Sequence, residues 1–398
     1  MTNFSIDRRA LATGLAASVA APAVVRAQPS GPIKLATLTP LTGAGGPYGP
    51  VMATVAKAVA EEVNKAGGVL GREVVIVSED DQTNPEAGVR AARKLIDVDK
   101  AVAIMGTWAS AVTTAVAPLC WESKTFLATV SGADSITALP HQGYLIRTQP
   151  NTTLQSKKFG EFALELGAKK LFYMAPQTPF TQATAALVKA AMEKAGGGSE
   201  MLIYDDKKPS LRSEVDQALR YNPDVLFMGG YAPDTTVLMK DLFRAGFKGK
   251  LITFAYAVNQ KVVTENPADV TEGVYTLAPS TAEGSPAYQH AVELSKAANP
   301  DPYTCQVYDH VNLILMAIAQ GKDASGAGIR ENVRKVAQGG GTKVTNAIEG
   351  LKAIAAGTKV DYEGASGPCD FTEAGDIIDC KFRYEQVKGG KIALMRIA

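Results

Sequence analysis

Ser110 is the residue best placed to do chemistry. It follows an apolar run, 101–105, and the loop Gly106-Thr107-Trp108-Ala109, and it opens a stretch of helical patterning. A hydroxyl at a helix start can accept from a free backbone N–H and cap its own helix. The same geometry offers N–H groups and a hydroxyl to an anion such as a carboxylate. On residue types alone the two readings are level.

A second chemical candidate is TPLTGAGGPYGP, residues 39–50, between an apolar run and a helical pattern. A dinucleotide-binding turn needs G-x-G-x-x-G. Gly43 and Gly45 fit, but Tyr48 occupies the third glycine's place. No G-x-x-x-x-G-K phosphate loop and no G-x-S-x-G nucleophile elbow occurs. The three histidines, His141, His290 and His310, include no pair at the spacing that puts two ligands on one helix face. Nothing therefore calls for a nucleotide, a metal, a cofactor or an enzyme. The glycine-rich loop still lies at the carboxyl end of a first strand, where open α/β sheets bind ligands. Its backbone can approach a solute closely, and Tyr48 can wall the site.

The elements that must position these residues alternate. Strands are expected over 33–37, 73–78, 101–105 and 125–129, with helices over 51–65, 86–96 and 110–123 between them. The first helix carries Val51, Val55, Val59 and Val63 four residues apart, one apolar stripe. After a polar stretch, Arg147-Thr148-Gln149-Pro150-Asn151-Thr152, the series restarts. Strands over 170–174, 201–204, 225–228 and 250–254 alternate with helices over 153–166, 181–195, 211–220 and 234–245. Such alternation implies parallel sheets covered on both faces, here in two α/β lobes. Beyond 274 come a strand over 274–277, four helices and two or three closing strands, which complete the two lobes.

The first residues differ in kind. Arg8 and Arg9 precede a weakly apolar stretch, 10–25, and Val25-Arg26-Ala27 sets small residues where a signal peptidase reads. This predicts an export signal, 1–27, cut after Ala27. The stretch is shorter than the ~20 residues of a membrane span. The paired arginines and alanine-rich core point to the twin-arginine route, although no bulky aromatic follows the pair. The whole chain has 398 residues and a formal charge of +1; residues 1–27 hold three Arg and one Asp, so the mature chain carries −1. So balanced a charge calls for neither nucleic acid nor an acidic membrane surface. No later segment is long and apolar enough to span a bilayer.

An exported chain can keep disulfides. Cys369 and Cys380 flank CDFTEAGDIIDC, in which Glu373-Ala374-Gly375-Asp376 reads as a hairpin turn. Two strands closing there would bring the thiols together as a disulfide; the alternative is two buried free thiols. No pairing is assigned to Cys120 or Cys305.

Several stretches, in order, carry a family resemblance: IKLATLTPLTGAGGPYGP, EEVNKAGGVLGREVVIVSEDDQTNPEAGVRAARKLI, GTWASAVTTAVAPLCWES, GYLIRTQP, NPDVLFMGGYAPDTTVLMKDL, QVYDHVNLILMAIA and SGPCDFTEAGDIIDCKFRYEQVKGGK. Together they cover nearly the whole mature chain and resemble the leucine/isoleucine/valine-binding protein family. These are periplasmic solute receptors of ABC importers. The resemblance implies a type I periplasmic binding fold: two α/β lobes, three hinge crossings, and a ligand buried in the cleft on closure. The crossings would fall at 147–151, 255–258 and 379–383. Lobe one is then 28–150 plus 258–378, and lobe two 151–257 plus 379–398.

The resemblance also implies site roles. Ser110 would hold the solute's carboxylate. Ala133 stands where the family carries a threonine that offers hydroxyl and backbone, so one hydroxyl is missing and Ser131 is the expected substitute. Phe180, in the loop after the strand over 170–174, and Tyr231 would close over the solute from lobe two. Trp108 and Tyr48 would line lobe one. After the strand over 250–254 the amino-acid receptors carry an acid for the α-ammonium, whereas this chain reads Phe254-Ala255-Tyr256-Ala257. A buried ammonium without a counter-charge costs several kcal/mol. Either another acid such as Asp234 serves, or the solute has no ammonium. With Tyr256 the aromatic set suits a flat apolar body beside a carboxylate, which puts an aromatic or other small organic acid ahead of a branched-chain amino acid. The expected partners are that solute and the membrane permease of the importer. A ligand-sensing receptor subunit and an amide hydrolase on the same fold are the alternatives.

Overall fold

In the computed structural model residues 31–398 are described. The expected export signal, its arginine pair and the cut after Ala27 lie outside them. The chain begins β1 (Ile33–Thr39), α1 (Gly49–Lys65), β2 (Val74–Asp80), α2 (Pro85–Arg93), β3 (Ala103–Thr107), α3 (Ser110–Glu122), β4 (Phe126–Thr129) and β5 (Leu145–Arg147). It continues α4 (Thr152–Glu165), β6 (Lys170–Pro176), α5 (Pro179–Lys194), β7 (Gly198–Tyr204), α6 (Arg212–Arg220), β8 (Val225–Met228), α7 (Ala232–Arg244) and β9 (Lys250–Phe254). Then follow α8 (Gln260–Glu265), α9 (Ala268–Thr271), β10 (Tyr275–Pro279), α10 (Pro286–Ser295), α11 (Pro302–Gly321), α12 (Gly326–Ala337), β11 (Thr342–Val344), α13 (Ala347–Ala355), β12 (Val360–Tyr362), β13 (Phe382–Lys388) and β14 (Lys391–Ile397).

Lobe one is built on a five-stranded sheet in the order β2-β1-β3-β4-β5, every pair parallel. Its central strands, AIMGT and FLAT, are buried at every residue. They read as unbroken runs because helices cover both faces. Met52, Val55, Val59 and Val63 form the buried stripe of α1. α11 is buried from Tyr303 to Ile318, as a helix apolar on nearly every side must be. Asp301 caps it, accepting from the N–H groups of Tyr303 at 2.9 Å and Thr304 at 3.1 Å.

Lobe two has a seven-stranded sheet in the order β14-β13-β10-β9-β8-β6-β7. β7 through β10 run parallel, and β13 and β14 add an antiparallel edge. β10 corrects the lobe boundaries. It pairs with β9, Tyr275 opposite Ile252, and Val258, Val262, Val263 and Val270 pack in the core with Leu226 and Leu238, so residues 258–279 go with lobe two and not lobe one. The second crossing therefore follows Pro279, not the segment 255–258. There Ser280 N–H donates to Lys381 C=O at 2.7 Å, joining the second and third crossings, and Ala282 N–H donates to Ala365 C=O at 2.8 Å. The third crossing runs between Ile377, in the lobe-one core, and Phe382, in the lobe-two core.

The expected Cys369–Cys380 disulfide is absent; all four cysteines are free thiols. A turn does form, with Phe371 bridged antiparallel to Ile377 and Ile378 N–H donating to Asp370 C=O. That register puts Cys369 across from Asp379, one residue out of step with Cys380. In a strand pair one residue of offset sends a side chain to the opposite face. Cys369 is wholly buried in lobe one, while Cys380 sits on the crossing between the two cores.

Candidate functional site

The loops at the carboxyl ends of both sheets meet. From lobe one come Trp108, Ser110, Gly132, Gln149 and Tyr303; from lobe two come Gln155, Phe180, Tyr231 and Tyr256. Between them lies a cavity of about 30 Å³, the space of roughly one water molecule.

Ser110 is the first residue of α3, and the cap position is Ala109, in extended conformation with no side-chain bond. The serine does not cap its helix. Its Oγ accepts from Ala133 N–H at 3.1 Å, and its own O–H has no acceptor among the described residues. The first in-helix bond is made by Thr113 N–H to Ala109 C=O, so the amides of 110–112 have no helical acceptor. Gly132 N–H likewise has no acceptor among the described residues. Of these residues Ser110 and Gly132 line the cavity, and their unspent donors, beside a helix N-terminus, can serve as an anion cradle.

Ser131 is not part of the lining. It is fully buried behind the site, its Oγ 3.0 Å from Thr107 C=O, 2.9 Å from Trp108 C=O and 2.5 Å from Thr113 Oγ1. Its hydroxyl fixes the loop between β3 and α3 and does not replace the missing threonine. Ala133 contributes only the backbone N–H that meets Ser110. Thr113, bonded also to Thr129 Oγ1 at 3.2 Å, belongs to the same buried scaffold.

Trp108 is the centre of the aromatic lining. Its ring lies 5.8 Å from Tyr48, stacked at 28°, and 5.7 Å from Tyr303, edge-on. Across the lobes it meets Tyr231 at 5.3 Å and Tyr256 at 5.5 Å. Tyr256 stacks on Phe254 at 5.0 Å. Phe180 sits in the first turn of α5, not in the preceding loop, and reaches lobe one at Gly132. A Cβ on Gly132 would stand 2.7 Å from that ring, which only glycine avoids.

Asp234 is spent elsewhere. It accepts from Tyr231 N–H at 3.0 Å and from Tyr204 O–H at 2.6 Å, holding the start of α7, and burial pushes its pKa up to about 6. No carboxylate lines the 30 Å³ cavity. Acids line instead an adjoining chamber of about 440 Å³, reached past Gln155, Tyr256 and Tyr303. There Arg383 lies between Glu283 and Glu385, with Nε 2.8 Å from Glu385 Oε1. None of the three histidines lines either space.

The sequence reading did not single out Gln149, Gln155 and Tyr303 as site residues. Gln149 accepts from Gln306 Nε2 at 2.8 Å, and Gln155 Nε2 donates to Pro150 C=O at 2.6 Å. Their amides frame the first crossing; Gln149 lies in the polar stretch 147–152, and Gln155 three residues beyond it, inside α4.

Two parallel-sheet lobes, three crossings between them and an inter-lobe cavity lined by rings and unspent amides define a type I periplasmic binding protein. The chain belongs to the periplasmic binding protein family, which matches residues 32–391. It is thus a binding protein and not an enzyme. It is similar to the leucine-, isoleucine-, valine-, threonine- and alanine-binding protein of Pseudomonas aeruginosa, 25% identical over 312 residues, 76% of this chain and 82% of that one. A leucine binding protein of Thermotoga maritima shares the fold with a TM-score of 0.78 at 22% identity, covering 92% of this chain and 98% of the other. A solute binding protein of an ABC transporter from Rhodopseudomonas palustris, solved with 3,4-dihydroxybenzoic acid, does so with a TM-score of 0.73 at 21% identity, covering 92% and 97%. Among the described residues no helix is long and apolar enough to cross a membrane.

Proposed function

We propose that this chain is the exported, periplasmic solute receptor of an ABC importer, and that it captures a small carboxylate-bearing solute between its lobes and presents the closed form to a membrane permease. The observation that carries the reading is that Ser110, whose O–H has no acceptor among the described residues, and Gly132, whose N–H has none, line one inter-lobe cavity. The carboxylate sits there. Trp108 and Tyr48 from lobe one and Tyr231, Tyr256 and Phe180 from lobe two hold the body of the solute, which extends past Tyr256 and Tyr303 into the 440 Å³ chamber. The moving bodies are 32–147 with 286–377, and 152–279 with 382–398, turning on the three crossings.

The preferred solute is an aromatic or other small organic acid. A free amino acid brings an ammonium, and no carboxylate lines the inner cavity to receive it. The P. aeruginosa relative is named for amino acids and the R. palustris structure holds a dihydroxybenzoate, so both classes fall within the family's range. A thermal-shift screen of the mature chain with benzoate, 3,4-dihydroxybenzoate and leucine tests this, because a solute that binds only the folded form raises its melting temperature. A shift with the benzoates and none with leucine is expected. A shift with leucine alone would reverse the order.

A further inference from the structure

Arg147 ends β5, where the chain leaves the first sheet, and its side chain is fully buried. A buried guanidinium is costly unless its donors are met. Here they are. Nε donates to Asp376 Oδ1 at 2.7 Å, one terminal nitrogen to Thr137 Oγ1 at 3.0 Å, and the other to Ala133 C=O at 2.6 Å and Ser131 C=O at 3.4 Å. Thr137 Oγ1 also donates to Asp376 Oδ2 at 3.2 Å. The backbones agree, because Arg147 N–H donates to Gly375 C=O at 2.8 Å and Arg147 bridges Asp376 in parallel.

Burial requires that every donor be met, and Asp376 cannot meet them all. The partners that meet the rest include two carbonyls of the loop beside the anion cradle. In a trans peptide the N–H points opposite to the C=O. Drawing Ser131 C=O inward therefore turns Gly132 N–H outward, and Gly132 lies on the cavity wall. Thr152 Oγ1 holds the next carbonyl, Gly132 C=O, at 2.9 Å, and that peptide's N–H, on Ala133, points at Ser110.

We infer that Arg147 is a positioning residue for solute binding: braced by Asp376, it aims the peptides of 131–133 at the anion and ties that loop to the first and third crossings. The inference rests on the carboxylate cradle proposed above. Two variants test it in the full mature chain, Arg147→Lys, which keeps the charge and loses the fork, and Asp376→Asn, which keeps the shape and loses the brace.

The first readout needs no ligand. Amide exchange at Ser131 and Ala133, bonded to Thr129 and Ser110, should quicken about tenfold or more in either variant, with the β3 amides unchanged. The second is calorimetry with benzoate and its neutral isostere benzamide. Benzoate affinity should fall about tenfold, and benzamide affinity by much less. Unchanged exchange at 131–133, or equal losses for the two probes, would overturn the inference. If the wild type binds neither benzoate nor leucine, the cradle reading fails, and the exchange result still decides whether Arg147 sets the loop. If Arg147→Lys does not fold, Asp376→Asn carries both readouts.

Discussion

The Tyr48 hydroxyl donates to the Tyr256 carbonyl at 3.1 Å, tying the glycine-rich loop of lobe one to the loop that follows β9 in lobe two. Asn259 Nδ2 donates to the same hydroxyl at 3.1 Å. The loop brings a tyrosine to the lobe interface, where its ring stacks on Trp108 and its hydroxyl latches the far side.

Tyr48→Phe removes the latch and keeps the ring. One neutral hydrogen bond is worth about 1 kcal/mol. Solute affinity should fall roughly fivefold, mostly through faster release, with the melting temperature nearly unchanged. Stopped-flow release with the best solute of the thermal-shift screen measures it; equal release rates would show that the bond does not hold the lobes.

Ser110→Ala removes the one side-chain donor of the cradle. Hydrogen bonds to charged groups contribute about 1.5–3 kcal/mol, so carboxylate affinity should drop by roughly tenfold to a hundredfold. The fold should stand, because Ser110 does not cap α3, with a stability loss of about 1–3 kcal/mol from the buried Ala133 N–H left without its acceptor. Calorimetry beside a melting curve separates the two effects.

Gly132→Ala puts a methyl group against the Phe180 ring and Gln155 Nε2, at 2.7 and 2.9 Å. The clash exists only where the lobes meet, so binding should weaken while each lobe keeps its core. The double variant with Phe180→Ala should recover part of the loss, as a double-mutant cycle would report.

Asp81 predicts a pH dependence. It is fully buried, Oδ2 has no partner, Oδ1 accepts from Thr83 N–H at 2.7 Å, and burial pushes its pKa up to about 7. The folded pKa lies above the unfolded one, so the folded state holds the proton more tightly. The stability this contributes is fully present below about pH 4 and is lost as pH rises through 7. Asp81→Asn should remove that slope and melt above the wild type at pH 8. The difference is on the order of 2–4 kcal/mol. Melting curves from pH 5 to 8 check it.

The cysteines give a chemical test of the turn after Cys369. With four free thiols the mass of the mature chain should not change on reduction. Burial pushes the Cys120 and Cys380 thiols up to about 12, so alkylation at pH 8 should be slow until the chain is denatured. A gain of two mass units on reduction would contradict the register described above.

The lobes were legible where local pattern decides structure. Val225–Met228 and Lys250–Phe254 stand where their apolar runs predict them, because buried parallel strands carry no alternation to confuse. β5 was not predicted, since three residues ending in a buried arginine look like the start of a polar loop. β10 was given to the wrong lobe because strand partners are a non-local choice that 274–277 does not encode. In the candidate site, Ser110 is suggested by its place at a helix start after a strand, and Trp108 and Tyr231 by the resemblance; with Tyr256 they line the inner cavity, while Tyr48 lines the larger chamber. The cap at Ala109 rather than Ser110 is a backbone decision. Ser131 was expected to face the solute, yet three buried partners claim its hydroxyl. Tyr303 and Gln155 reach the cavity only through the packing of α11 and α4, far away along the chain.

The most direct test is a crystal structure with the tightest organic acid from the screen. The account predicts its carboxylate within hydrogen-bond reach of Ser110 Oγ and Gly132 N–H, with the body running past Tyr256 and Tyr303 into the larger chamber. A carboxylate turned toward Arg383 in the larger chamber, or a solute bound away from the lobe interface, would contradict it.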